Sequence, residues 1–188
     1  MGSSPFPVVT APLSNVIEYE WTHSEDNSSL ELYTGKPTAE LEREWDVLWN
    51  YGAFAVPIEA LTSLNKSSLA GQFRTVDVSG VAALLEAFHQ IHCVNLVRQY
   101  IYRDYWDYSK VASFSGGNKT VRHHVDHCIE TIRMNIMCLS DVTPFLIEED
   151  PRAPGQLRAN HNIVRKCRKY GAMVDWVKEN TVFMTAGK

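Results

Sequence analysis

One five-residue pattern, H-x-x-H-C, occurs twice in this chain and limits the folds that the chain can adopt. The two copies span residues 89–93 and 124–128, and they contain four of the seven histidines. Each copy lies in a segment whose apolar residues recur at helical spacing. On a helix, residues three apart share one face with a rise of about 4.5 Å, so both imidazoles of a copy can reach a common ion.

Hydrophobic periodicity predicts helices over residues 38–51, 79–105, 120–139 and 157–180, of which the second and third carry the motifs. Ser79 is the expected N-cap of the second helix, and Gly116 and Gly117 allow the chain to turn before the third. Residues 53–79 are predicted to be mostly connection, with room for one short helix. We therefore predict a mainly α-helical fold with two long helices in its core.

The N-terminal residues have a different pattern from the rest of the chain. Residues 16–21 resemble a strand, and no sustained helical period occurs before residue 37. A chain of 188 residues with 45% hydrophobic residues is long enough for one domain with a real core. We expect an extended N-terminal arm over residues 1–36 and a single helical domain over residues 37–188.

Charge and hydropathy exclude two classes of partner. The chain has 18 Lys and Arg against 22 Asp and Glu, and this net charge of -4 argues against a nucleic-acid partner. No run of about 18 apolar residues occurs, so no membrane span is predicted in this chain. Residues 1–4 lack the pattern of a secretory signal and are interpreted as an expression artefact, and the sequence is compatible both with removal of a native targeting segment and with a soluble protein.

The four motif histidines, His89, His92, His124 and His127, are predicted to be metal ligands. The apolar residues Leu85, Leu96 and Tyr100 fall near the angular position of the first pair, which predicts that this pair faces the interior. A buried imidazole without a partner costs about 1–3 kcal/mol, and ligation satisfies one of its nitrogens. The competing interpretation is a set of buried histidines that are hydrogen-bonded. Imidazole ligands suit zinc and copper better than nickel or iron.

The histidines outside the motif are assigned separately. His23 and His123 are predicted to lie on the surface, and His161 is left open.

The four cysteines, Cys93, Cys128, Cys138 and Cys167, are an even set without a C-x-x-C pair, which makes them disulfide candidates. Cys128 and Cys138 are ten residues apart in one predicted helix, about 15 Å by rise, so they cannot pair with each other. Two pairings remain: 93–128 with 138–167, or 93–138 with 128–167. The first is favoured because it would link the two motif helices. Four free thiols are the alternative.

The motifs resemble the fungal UstYa-like family, which is named after the oxidative tailoring enzymes of ustiloxin biosynthesis. The resemblance covers about residues 37–180, and paired H-x-x-H-C motifs at this separation are specific. The positions that carry it are Pro37, Thr38, Trp45, Leu48, residues 88–95, Arg98, Tyr102, residues 124–130, Arg133, Met137, Cys138, residues 141–143, Cys167, Arg168, Met173 and Trp176.

The resemblance implies copper-dependent oxidation of a fungal peptide or other secondary metabolite by cyclisation, hydroxylation or halogenation. The four motif histidines would then be the catalytic residues, as ligands of one or two copper ions. The expected partners are a small-molecule or peptide substrate and another copy or a paralogue. A secretory or membrane-associated location is also implied, and the sequons at Asn27, Asn65 and Asn118 support it weakly.

Two other functions are compatible with the sequence. The first is a non-catalytic metal-binding or scaffolding subunit of a biosynthetic complex. The second is a zinc hydrolase, for which Asp126 and Glu130 are the available general bases, although no H-E-x-x-H spacing occurs.

Overall fold

Helices and short strands alternate along the chain. The computed structural model describes residues 13–23, 30–76, 80–160 and 162–184. The α-helices are α1 (Leu30–Tyr33), α2 (Ala39–Trp49), α3 (Glu86–Ile101), α4 (Gly117–Leu139) and α5 (Tyr170–Asn180). The strands are β1 (Tyr19–His23), β2 (Ala53–Pro57), β3 (Gly80–Ala83), β4 (Leu146–Glu149), β5 (Leu157–Asn160), β6 (Val164–Arg168) and β7 (Thr181–Phe183). Within the described residues they form antiparallel sheets with the strand orders β1-β6, β3-β2-β7 and β4-β5.

The prediction of a mainly α-helical fold is wrong, because strands occupy segments that the periodicity assigned to helices or connections. The helix predicted from residue 79 begins only at Glu86, since Val81 pairs with Val56 between β3 and β2. The last predicted helix is reduced to α5, since residues 157–168 contain β5 and β6. Pairing with distant strands overrides a local helical pattern in these short segments. The expected N-cap Ser79 lies outside the described residues.

Four local predictions are confirmed. Helix α2 matches the prediction over residues 38–51, and α4 matches the prediction over residues 120–139. The strand expected over residues 16–21 is present as β1, shifted to Tyr19–His23, and it pairs with β6. Gly116 and Gly117 have φ angles of 88° and 80°, a left-handed conformation that glycine adopts without strain, and the chain turns there into α4.

Two compact units share the chain. The first, which we call the sheet unit, contains described residues of the ranges 1–18, 50–88 and 169–188. Its sheet β3-β2-β7 is covered by α5, where Phe54 and Trp176 meet edge to face at 5.3 Å between ring centroids. Gly52 is required here, because a Cβ at this position would collide with the Thr181 side chain.

The second unit, which we call the helix-pair unit, contains described residues of the ranges 19–49 and 89–168. Its core is formed by Cys93 and Leu96 of α3 together with Val125 and Cys128 of α4, all of them buried. Removing an aliphatic side chain of this kind from water contributes roughly 1.5–3 kcal/mol. This core holds α3 and α4 side by side, and the motifs lie on these two helices.

Two further predictions concern the chain as a whole. In the part of the chain that the structure describes, no helix combines the length and the apolar character that crossing a bilayer requires. The predicted division at residues 36 and 37 stays a prediction.

Candidate metal centre

The packing of α3 against α4 brings the four motif imidazoles together across the two helices. The ring centroids of His89 and His127 are 5.8 Å apart, and those of His92 and His124 are 5.9 Å apart. The earlier histidine of one helix thus faces the later histidine of the other, which is the arrangement of antiparallel helices. Along α4, His124 and His127 have centroids 6.4 Å apart.

The helical spacing explains why the cysteines lie in the buried contact between α3 and α4 while the histidines lie at its solvent-facing edge. Cys93 follows His89 by four residues, and its Sγ atom lies 3.7 Å from the Nε2 atom of His89. Cys93 and Cys128 are fully buried, whereas His89, His92 and His124 are half-buried and His127 is exposed. The first pair is therefore less buried than the sequence pattern indicates.

Electrostatics favour a neutral ring at His92. Burial, followed by the nearby His124 and His89, lowers the pKa of His92 from 6.5 to about 4. A neutral imidazole presents a lone pair, which is the form that binds a metal ion.

The spacing of the rings fits shared ligation across the helices. A metal–nitrogen bond of about 2.0–2.1 Å places two imidazoles on one ion with centroids roughly 4.5–6.3 Å apart. Both cross-helix pairs lie in this range. The rings do not converge on a single point, since no group of three His, Cys, Asp or Glu side chains within the described ranges is placed to hold an ion.

An aromatic side chain of α2 packs against the centre. The Trp49 indole lies 4.3 Å from the His92 ring between centroids, with an interplanar angle of 53°. The sequence pattern places Trp49 on the apolar face of its helix but does not identify this contact. The sequence feature that points to the contact between Trp49 and His92 is the aromatic residue Trp49 on the helix face that also carries Leu41 and Trp45.

A partly buried carboxylate fixes α2 on α3. The Glu42 carboxylate accepts hydrogen bonds from Arg98 Nη2 at 2.7 Å, from Gln99 Nε2 at 3.0 Å and from the Tyr108 hydroxyl at 2.9 Å. Burial and the bond to Glu42 raise the pKa of Tyr108 above its ordinary value. The Arg98 guanidinium also lies 5.2 Å from the centroid of the Trp45 ring. These contacts fix the position of α2, which carries Trp49, relative to α3.

A pocket of about 460 Å³ borders the imidazoles of α4. Its lining contains Ala112, Ser113, Ser115, Thr120, His123, His124 and His127. His123 is exposed, as predicted, and it brings a third imidazole to this pocket. His23 is exposed on β1, as predicted, and His161 lies outside the described residues. A ligand in this pocket would lie directly against two of the candidate metal ligands.

All four cysteines carry thiols in the structure. Cys93 and Cys128 are neighbours. A hydrogen bond with Cys93, together with burial, raises the pKa of the Cys128 thiol far above its usual range. Cys138 is exposed on α4, and Cys167 is half-buried on β6. Both disulfide pairings stay predictions.

The acidic residues that a zinc hydrolase could use are engaged elsewhere. The Asp126 carboxylate lies 3.5 Å from Arg122 Nε, and the Glu130 carboxylate accepts a hydrogen bond from Arg133 Nε at 2.7 Å. Both carboxylates are exposed on α4. This arrangement gives no support to a general base at the centre.

Comparison with known proteins places these features in a family. The family model described as "Mycotoxin biosynthesis protein UstYa" matches residues 3–180. The UstYa family oxidase phomYc of Diaporthe leptostromiformis is 41% identical over 152 residues, which cover 80% of this chain and 59% of that protein. The UstYa family oxidase phomYc' of the same fungus is 41% identical over 150 residues, with 80% and 52% covered.

A transacylase, cctO of Talaromyces islandicus, is 32% identical over 188 residues, which cover 93% of this chain and 61% of that protein. This chain thus spans between about half and three fifths of the length of these relatives. No solved structure matches the chain significantly. The match over residues 3–180 confirms the family resemblance of the paired motifs. The chain therefore belongs to the UstYa family.

Proposed function

We propose that this chain forms the copper-binding part of an oxidase that tailors a fungal peptide or other secondary metabolite. The observation that carries the proposal is the pairing of four motif imidazoles across α3 and α4 beside an open pocket. The names of the two relatives at 41% identity, both UstYa family oxidases, support an oxidative reaction. Cyclisation, hydroxylation and halogenation are all reactions of this class.

The residues of the centre have separate tasks in this proposal. His89 with His127, and His92 with His124, would hold one or two copper ions. Bound copper supplies one-electron redox chemistry. The buried core beneath the imidazoles excludes water from one side of the centre, and the pocket at His124 and His127 admits the substrate from another. The low pKa of His92 keeps this ring neutral and able to bind metal in mildly acidic solution.

A non-catalytic metal-binding or scaffolding subunit is the second candidate, and exposed apolar side chains favour it. Several large apolar residues near the end of α4 and on the β4–β5 hairpin are exposed: Ile136, Met137, Leu139, Val142, Phe145, Leu146, Ile147 and Leu157. Where exposed apolar side chains form a contiguous patch, they are typical of a surface that binds another protein. A second copy or a paralogue would be such a partner.

Copper loading followed by redox cycling tests the two candidates. The metal-free protein is titrated with Cu(II), bound copper is measured by elemental analysis, and the electron paramagnetic resonance signal is followed during reduction by ascorbate and exposure to air. An oxidase site is expected to lose the signal with ascorbate and to regain it in air. Copper that is bound but does not cycle would favour the scaffolding role.

Variants of the ligands complete this test. His92→Gln and His127→Gln each remove one imidazole from one cross-helix pair, and we expect each to lower the amount of bound copper. His23→Gln, on the exposed strand β1, is the control and is expected to bind copper as the wild type does. A wild-type protein that binds no copper, or variants that bind it equally well, would contradict the proposal.

A further inference from the structure

We propose that Trp49 is a positioning residue, whose indole holds the His92 imidazole in the orientation that faces His124. The inference rests on the proposed copper site and assigns a task to a residue outside the H-x-x-H-C motifs. Trp49 ends α2, whereas all four motif histidines lie on α3 and α4. The centre would thus depend on a third helix.

The first observation is the close approach of the two rings. The centroids of Trp49 and His92 are 4.3 Å apart, which is the shortest ring separation among those described. His124 is the second ring neighbour of His92, at 5.9 Å. Because an imidazole turns about two side-chain bonds, a large ring packed this closely restricts the directions in which its nitrogens point.

The second observation is that the N–H group of the Trp49 indole makes no hydrogen bond within the described residues. Its Nε1 atom is buried and has no hydrogen-bond partner in the described part of the chain. A buried N–H group without an acceptor lowers stability, so hydrogen bonding does not explain an indole at this position. The contact that the structure gives for the Trp49 indole is the packing of its ring against His92.

The third observation is that α2 cannot easily slide on α3. Glu42 accepts hydrogen bonds from Arg98 and Gln99, which lie on the same helix as His92. One turn before Trp49, the Trp45 ring lies under the Arg98 guanidinium. These contacts are independent of the histidines, and they fix the end of α2 next to His92.

Together these contacts make His92 a ligand that is oriented before the metal ion binds. Hydrogen-bonding partners that orient a ligating histidine typically change metal affinity by about 10- to 100-fold when they are lost, and we expect a packed ring that orients His92 to act on the same scale. Removing the indole would free the imidazole to rotate away from His124 and would admit water beside it. The loss should therefore appear as weaker and less uniform metal binding while the fold is retained.

The experiment compares Trp49→Ala and Trp49→Phe with the wild-type protein. Cu(II) affinity is measured in the metal-free proteins by competition with a chelator of known affinity, and copper hyperfine splitting is measured by electron paramagnetic resonance. Far-UV circular dichroism and thermal unfolding without copper show whether each variant folds. Trp21→Ala is the matched control, because Trp21 lies on β1 and is 70% exposed.

We expect Trp49→Ala to bind Cu(II) at least tenfold more weakly, with a broadened or altered hyperfine pattern. Trp49→Phe, which retains an aromatic ring and removes the N–H group, should stay within about threefold of the wild type. The Trp21→Ala protein should match the wild type. Quenching of tryptophan emission by Cu(II) should decrease in both Trp49 variants, because the quenched indole adjoins the ion.

Two results would overturn the inference: a folded Trp49→Ala protein with unchanged affinity and spectrum, or a folded Trp49→Phe protein as impaired as Trp49→Ala. The second result would assign the effect to the N–H group rather than to ring packing. Failure of the proposed function is distinguishable, since the wild-type protein itself would then bind no copper.

Discussion

Replacing Glu42 by alanine is expected to destabilise the metal-free protein strongly. The Glu42 side chain is 17% exposed and that of its partner Arg98 is 10% exposed. The substitution leaves the Arg98 guanidinium buried without its counter-charge, and it removes the acceptor of Gln99 and Tyr108. Breaking a buried ion pair by removing one partner costs about 3–5 kcal/mol.

A second variant separates the loss of the Glu42 charge from the loss of its hydrogen bonds. Glu42→Gln keeps an oxygen that accepts one hydrogen bond but loses the charge, so we expect it to lower the free energy of unfolding by about 1.5–3 kcal/mol. Glu40→Ala changes an exposed carboxylate in the first turn of the same helix. Loss of its favourable interaction with the helix dipole should cost no more than about 1 kcal/mol.

Urea unfolding followed by far-UV circular dichroism measures the three free energies under one condition. If Glu42→Ala costs less than about 1 kcal/mol, or no more than Glu40→Ala, the carboxylate does not compensate Arg98 in the way described. Copper titration of the same variants adds a functional result. Because Glu42 holds the helix that carries Trp49, the variant with the largest loss of stability should also bind copper most weakly.

Two further predictions concern the buried groups of the centre. The free energy of unfolding of the metal-free protein should fall by about 1–2 kcal/mol as the pH falls from 6.5 to 4, because in this range the unfolded histidine binds a proton and the folded His92 does not. Urea unfolding at both pH values measures this slope, and an equal slope in His92→Phe would contradict it. The Cys93 and Cys128 thiols should react with iodoacetamide much more slowly than the exposed Cys138 in the folded protein, because both are buried and the raised pKa of Cys128 keeps its thiol protonated. Peptide mapping after alkylation of the native protein measures the three rates, and labelling of Cys128 as fast as that of Cys138 would contradict this prediction.

The candidate site is more predictable from the sequence than the fold that surrounds it. The spacing of His89, His92, His124 and His127 within helical segments is a local property, so the pattern identifies both pairs and both helices. Helix α4 is long and strongly periodic, and its bounds match the prediction closely. A duplicated motif on two such helices needs only their packing to form a centre.

The strands and the surroundings of His92 depend on contacts between distant segments. Val81 fits a helical period with Phe88, yet the structure pairs it with Val56, and no local pattern distinguishes the two outcomes. The contact between Trp49 and His92 joins residues 43 positions apart, through two helices whose relative position the sequence does not specify. The hydrogen bond between Glu42 and Arg98 cannot be predicted from the sequence for the same reason, because it joins two helices that are distant in the chain.

Pulsed electron paramagnetic resonance of the Cu(II)-loaded protein tests the central claim most directly, because it detects the remote nitrogens of coordinated imidazoles. The wild-type protein is compared with a variant in which His89, His92, His124 and His127 are all replaced by glutamine, and circular dichroism confirms that the variant is folded. We predict imidazole couplings in the wild-type spectrum and their loss in the variant. Imidazole couplings that persist unchanged in the folded variant would contradict the assignment of the two H-x-x-H-C motifs as the copper centre.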